Sequence, residues 1–171
     1  VVMNGLRIIR FNILGTLIFS VSALWAAIVF DGLAKSQGVV VALVLFAIGT
    51  GVFLWGYWTA VQRSRQEEIS VAELYFLMGP VIPRSVKIAM HSCLATQILV
   101  ALGTALSRPN SPSSDGLSNK PGSTLAFGVL VPILGLGLNG LWAASHGKFA
   151  PRRLKNGTVA AVCHPDTDQI G

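Results

Sequence analysis

Apolar positions run through this chain in four long blocks with few interruptions. Phe11–Phe30, Gly38–Val61, Ile88–Ser107 and Leu125–Ser145 contain no Asp, Glu, Lys or Arg over 20, 24, 20 and 21 residues. A helix needs about 20 mostly apolar residues to cross the hydrocarbon core. Backbone polar groups in lipid must be bonded within their own segment, so each block is predicted to be a helix. Core helices of soluble proteins are shorter, averaging about 11–12 residues, and keep a polar face. The predicted fold is therefore all-α: an integral membrane four-helix bundle with spans 11–30, 38–61, 88–107 and 125–145. Residues 1–153 form one membrane domain, followed by a tail, 154–171. The first block exceeds the 7–15 apolar residues of a signal peptide, so it is expected to be a retained span.

One stretch between spans two and three shows a different period. Ser70-Val71-Ala72-Glu73 fits a capping box, Ser followed three residues later by Glu. Val71, Leu74, Tyr75 and Met78 then recur at i, i+3, i+4 and i+7, and Gly79-Pro80 ends the run. This predicts a short interfacial amphipathic helix over 71–78, acting as a structural elbow. The other connections are a seven-residue loop, DGLAKSQ, and a 17-residue loop rich in Pro, Ser, Asn and Gly, which favours turns over a folded module.

Composition sharpens this picture. Charged residues make up 12% of the chain and mean hydropathy is +0.63. All 20 charged side chains fall between or beyond the blocks, so the low average combines charge-free spans with ordinary loops. Disorder and a disulfide scaffold are both excluded. The net charge of +6 is a matter of placement. Ten of the 13 Lys and Arg fall at the termini and in the 62–87 loop, and three (Lys35, Arg108 and Lys120) in the other two loops. That asymmetry predicts cytoplasmic termini in a bacterial plasma membrane. Trp55, Tyr57, Trp58 and Trp142 lie where the inner aromatic belt would be. Nucleic acid is not needed to explain the basic character.

Chemistry-bearing residues are sparse. His91, His146 and His164 are scattered, Glu67 and Glu68 sit beside Arg63 and Arg65, and no phosphate loop or dinucleotide fingerprint is present. No enzyme, cofactor or metal is expected. Gly49-Thr50-Gly51 in span two and Gly135-Leu136-Gly137 in span four form a weak internal echo, each followed by a Trp near the inner end. Gly49, Gly51, Gly135, Gly137 and Gly140 are the candidate helix-packing or partner-interface residues, since small residues let membrane helices approach closely. Lys148, Arg152, Arg153 and Lys155 are candidate contacts to anionic lipid. Pro132 is expected to kink span four. Asn12, Gln97 and Asn139 are expected to bond between helices.

Two segments carry a resemblance: AFGVLVPILGLGLNGLWAA (Ala126–Ala144) with HGKFAPRR (His146–Arg153), and VAELYFL (Val71–Leu77) with Pro83-Arg84. Both resemble small four-span membrane proteins of actinobacteria. In size and plan the chain is similar to the lipid-uptake-coordinator type of accessory subunit in mycobacterial MCE lipid transporters. The resemblance implies membrane lipids and permease subunits as partners in a hetero-oligomeric complex, and assigns no residue to that contact. The expected function is a non-catalytic accessory subunit of a larger bacterial membrane complex. The alternatives are a small oligomeric transporter or channel, or an accessory subunit of a respiratory complex.

Overall fold

The computed structural model describes residues 5–29, 31–78, 82–107, 110–112, 119–121 and 124–152. Four helical segments are long and apolar enough to cross a membrane, and the chain is a multi-pass membrane protein. They are α1 (Gly5–Val29), α2 (Gly32–Arg63), α4 (Arg84–Ser107) and a final span built in two pieces, a 3₁₀ segment (Thr124–Leu130) followed by α5 (Pro132–His146). The short helix α3 (Val71–Tyr75) lies between α2 and α4. Arg153, Lys155 and the tail fall outside the described residues.

The helices alternate in direction. Gly5, Arg63 and His146 share one end of the bundle: Gly5 lies against Trp142 and His146, and Arg63 bonds to Ala144 and Gly147. This end is called basal below. The opposite end carries the α1–α2 turn and a small antiparallel ribbon, β2 (Asn110–Pro112) paired with β3 (Asn119–Pro121), inside the loop expected to be turn-rich.

Three boundaries differ from the sequence expectation, each for a physical reason. The seven-residue loop 31–37 is helix instead. Asp31 is extended and its carboxylate accepts from Ala34 N at 2.7 Å, which starts α2 at Gly32. A carboxylate in that position satisfies one of the amides left unbonded at a helix start. The helix expected over 71–78 ends at Tyr75. Both halves of the capping box form, but Leu77 adopts a left-handed backbone (φ 50°) and is buried, which turns the chain out of the helix.

Pro132 does not kink a continuous α-helix. The residues before it bond in the tighter i→i+3 pattern (Val131 N to Gly128 O, Leu134 N to Val131 O), and α5 begins at the proline. Proline suits a first helical turn, where its missing N–H would be unpaired anyway. The 3₁₀ rise of about 2.0 Å per residue, against 1.5 Å for α, stretches this span to about 36 Å, matching α1 and α4.

The last span is the core of the bundle. Of its most apolar stretch 61% is buried, against 17% for α2 and 33% for α1 and α4. Leu134, Leu138, Ala143 and Ala144 are fully enclosed, and α1, α2 and α4 turn outward faces such as Leu17, Val21, Leu54 and Leu99 away from it.

Candidate functional site

The α2–α5 contact is made by backbone. A Cβ on Gly49 would lie 2.6 Å from Leu134 N, one on Gly137 2.6 Å from Gly49 O, and one on Gly56 2.8 Å from Leu141 N. The echo between spans two and four thus has a direct cause: their glycines are the two faces of one interface. Gly135 points elsewhere, to α4, where its Cβ would sit 2.8 Å from Gln97 Oε1. Gly140 receives the ring of Tyr75, with Cε1 at 2.5 Å from the same construction. Gly51 is a different case. Nothing lies within 4 Å of its Cβ position, and it faces outward with Ala47 one turn before. Four of the five glycines chosen from sequence therefore pack inside the bundle and one lies on its outer surface. Gly15 and Gly56, which the sequence pattern did not single out, belong to the inner set. Gly15 meets Leu134 Cδ2 at 2.8 Å.

The polar side chains of the interior bond across helices. Gln97 of α4 donates from Nε2 to Thr16 Oγ1 (2.8 Å) and Asn12 Oδ1 (3.3 Å) on α1. Thr16 donates back to the Asn12 carbonyl, and Asn12 Nδ2 reaches the Met90 sulfur at 3.5 Å. Gln97 and Asn12 are fully buried. Gln97 Oε1 receives no N–H or O–H donor and lies on the bare Cα of Gly135, a position suited to a weak C–H contact. Asn139 of α5 donates to the Tyr75 carbonyl at 3.1 Å.

The basal loop is held by all three neighbouring spans. Tyr75 stacks on Phe53 of α2 (4.3 Å between centroids, 12° between planes) and places its hydroxyl 3.4 Å from the Phe53 carbonyl. Asn139 of α5 takes the Tyr75 carbonyl. His91 of α4 bridges the Lys87 and Phe76 carbonyls at 2.8 and 3.1 Å. A neutral imidazole has one N–H and donates to one of these. Burial, with a smaller contribution from Tyr57, pushes the Tyr75 hydroxyl up to about 12. The elbow is therefore docked into the bundle through Leu74, Tyr75 and Leu77, while Val71 and Met78 remain exposed.

Below the elbow Arg63 forms a collar. Its guanidinium donates to the Ala144 carbonyl (2.6 Å) and the Gly147 carbonyl (3.0 Å), and pairs with Glu67 at 2.7 Å. The first two bonds satisfy carbonyls at the negative end of α5. The ring of Phe149 lies 5.4 Å from the guanidinium carbon. Two short strands complete the collar: β1 (Glu67–Glu68) pairs antiparallel with β4 (Ala150–Pro151). Arg152 follows, with its N–H on the Gln66 carbonyl and Nη1 on the Ser64 carbonyl. Lys148 and Arg152, two of the four basic candidates, are exposed on the rim of an open cavity of about 1130 Å³. That cavity also has Glu67, Glu68 and Glu73 in its wall. Among the described residues no three His, Cys, Asp or Glu side chains converge as a metal site.

The chain matches no protein-family model, no curated protein and no solved structure.

Proposed function

We propose that the chain is a non-catalytic accessory subunit of a larger membrane assembly in a bacterial plasma membrane, with both termini cytoplasmic. The observation that carries this reading is how the interior is filled. Backbone meets backbone at Gly49, Gly56 and Gly137, and the buried amides of Asn12, Gln97 and Asn139 bond to neighbouring side chains and carbonyls. A carrier or pore presents polar groups to a pathway. In this bundle they serve as rivets between helices. The outer faces fit the same role. Ala47 and Gly51 leave a shallow place on α2 where another helix can approach. The cytoplasmic placement rests on the basic residues of the basal end. The resemblance of Val71–Leu77 and Ala126–Arg153 favours an MCE-type lipid importer as the assembly, with its permease subunits as neighbours.

The test is gentle extraction of the tagged chain from its native membrane, followed by identification and quantitation of what accompanies it. The reading expects a large membrane complex at fixed stoichiometry, lost on Gly51→Leu. Recovery as a lone homo-oligomer refutes it and favours a small transporter or channel.

A further inference from the structure

The basal end holds two cavities that are one in shape. The larger, about 1130 Å³, has Glu67, Glu68, Glu73, Lys148 and Arg152 in its wall. The smaller, about 140 Å³, is an apolar groove between α2 and α3, walled by Tyr57, Ala60, Val61, Val71 and Leu74. Ser64, Ile69 and Ser70 line both, so the polar cleft opens into the apolar groove. The groove runs beside α2 at the level of the exposed rings of Trp55, Tyr57 and Trp58, where aromatic residues mark the boundary between hydrocarbon and headgroups.

The charges of the cleft select its occupant. Glu67 is matched by Arg63. That leaves two carboxylates, Glu68 and Glu73, facing the same space as two cations, Lys148 and Arg152. A purely anionic headgroup would meet the cations but also both carboxylates. A purely cationic one meets the reverse conflict. A headgroup with both signs a few bonds apart satisfies both pairs, and a primary ammonium can also donate hydrogen bonds to carboxylate oxygens, which a trimethylated amine cannot. Ser64 and Ser70 stand where the headgroup would join the acyl portion.

We infer that this cleft and groove bind a phospholipid whose headgroup carries a phosphate and a primary ammonium, with the phosphate at Lys148 and Arg152, the ammonium at Glu68 and Glu73, and the start of an acyl chain between Tyr57 and Val71. The basic pair is thereby a half-site for a zwitterion, where sequence alone pointed to anionic lipid. This inference stands whether or not the chain joins a larger assembly.

The full chain is placed in nanodiscs of phosphatidylcholine containing equal small fractions of phosphatidylethanolamine and phosphatidylglycerol, then extracted gently, and the retained lipids are counted by native mass spectrometry. Phosphatidylethanolamine is expected to be retained at least fivefold over phosphatidylglycerol. Lys148→Gln lowers that retention at least threefold. Glu68→Gln reverses the preference towards phosphatidylglycerol, because one of the two opposing carboxylates is gone. Val61→Trp fills the groove and weakens retention without changing the preference. Equal or greater retention of phosphatidylglycerol by the unaltered chain overturns the inference without reference to any variant. So does an unchanged preference in Glu68→Gln that elutes and melts like the parent. Displacement of bound lipid by glycerophosphoethanolamine at equimolar concentration would remove the groove from the site.

Discussion

Gly137→Ala tests the packing of the bundle at its tightest point. The added Cβ would lie 2.6 Å from Gly49 O and 2.9 Å from Phe53 N, both backbone atoms of α2. Ordinary contact begins near 3.4 Å, so the two helices must part by about 0.8 Å at this level. A gap of 0.5–1 Å forfeits about a quarter to a half of each affected contact's dispersion energy. Overpacking of this kind costs roughly 1–3 kcal/mol, partly offset by the better helix propensity of Ala over Gly, up to about 1 kcal/mol. The net expectation is a loss of about 1–2 kcal/mol, or roughly 2–8 °C in Tm for a chain of this size. Gly51→Ala is the matched control on the same helix pair: nothing lies within 4 Å, so stability is unchanged or slightly raised. Thermal unfolding of both variants in the same detergent, followed by circular dichroism, reads the difference. Equal destabilisation by the two, or none by Gly137→Ala, would falsify the assignment of Gly49 and Gly137 to the seam.

Gln97→Met removes the bonds to Thr16 and Asn12 while keeping an unbranched side chain beside Gly135. Membrane hydrogen bonds average about 0.6 kcal/mol and reach about 1.7, so a loss of about 1 kcal/mol is expected in the same unfolding assay. Arg63→Ala frees the Ala144 and Gly147 carbonyls and Glu67 together. Faster hydrogen exchange should appear at Gly147 and Arg152 while the centre of α5 stays protected, with partial recovery in Arg63→Lys. Tyr75 titrates late: its hydroxyl is raised from 10.0 to about 12 by burial, so the folded state holds its proton more tightly than the unfolded one. That contribution to stability is complete below pH 10 and is lost as pH rises towards about 12. Tyrosinate absorbance against pH should show a late transition that Tyr75→Phe removes.

Much of the site was legible only in part. Asn12, Gln97 and Asn139 were recognisable as interhelical hydrogen-bonders because an amide in an apolar span has few other uses. Their partners were not, because Tyr75 and Thr16 lie on elements whose rotation the sequence does not encode. The Asp31 cap was written in the chain as Asp before a helix-compatible stretch, and was hidden by reading polar residues as loop. Arg63 looked like one basic residue among several. Its role as a collar depends on where α5 ends in space.

The sequence by itself determined the number of spans, the charge asymmetry between the ends and the existence of the elbow. Length, absence of charge and a capping box are local properties that lipid and backbone hydrogen bonding convert directly into helices. Which faces meet was decided by the tertiary structure alone. In water an apolar stripe marks the inside of a helix. In a bilayer the outside is as apolar as the inside, so Gly51 and Gly49 look alike along the chain although one faces outward and the other touches α5. Shape at contact separates them, and shape exists only once the helices have packed.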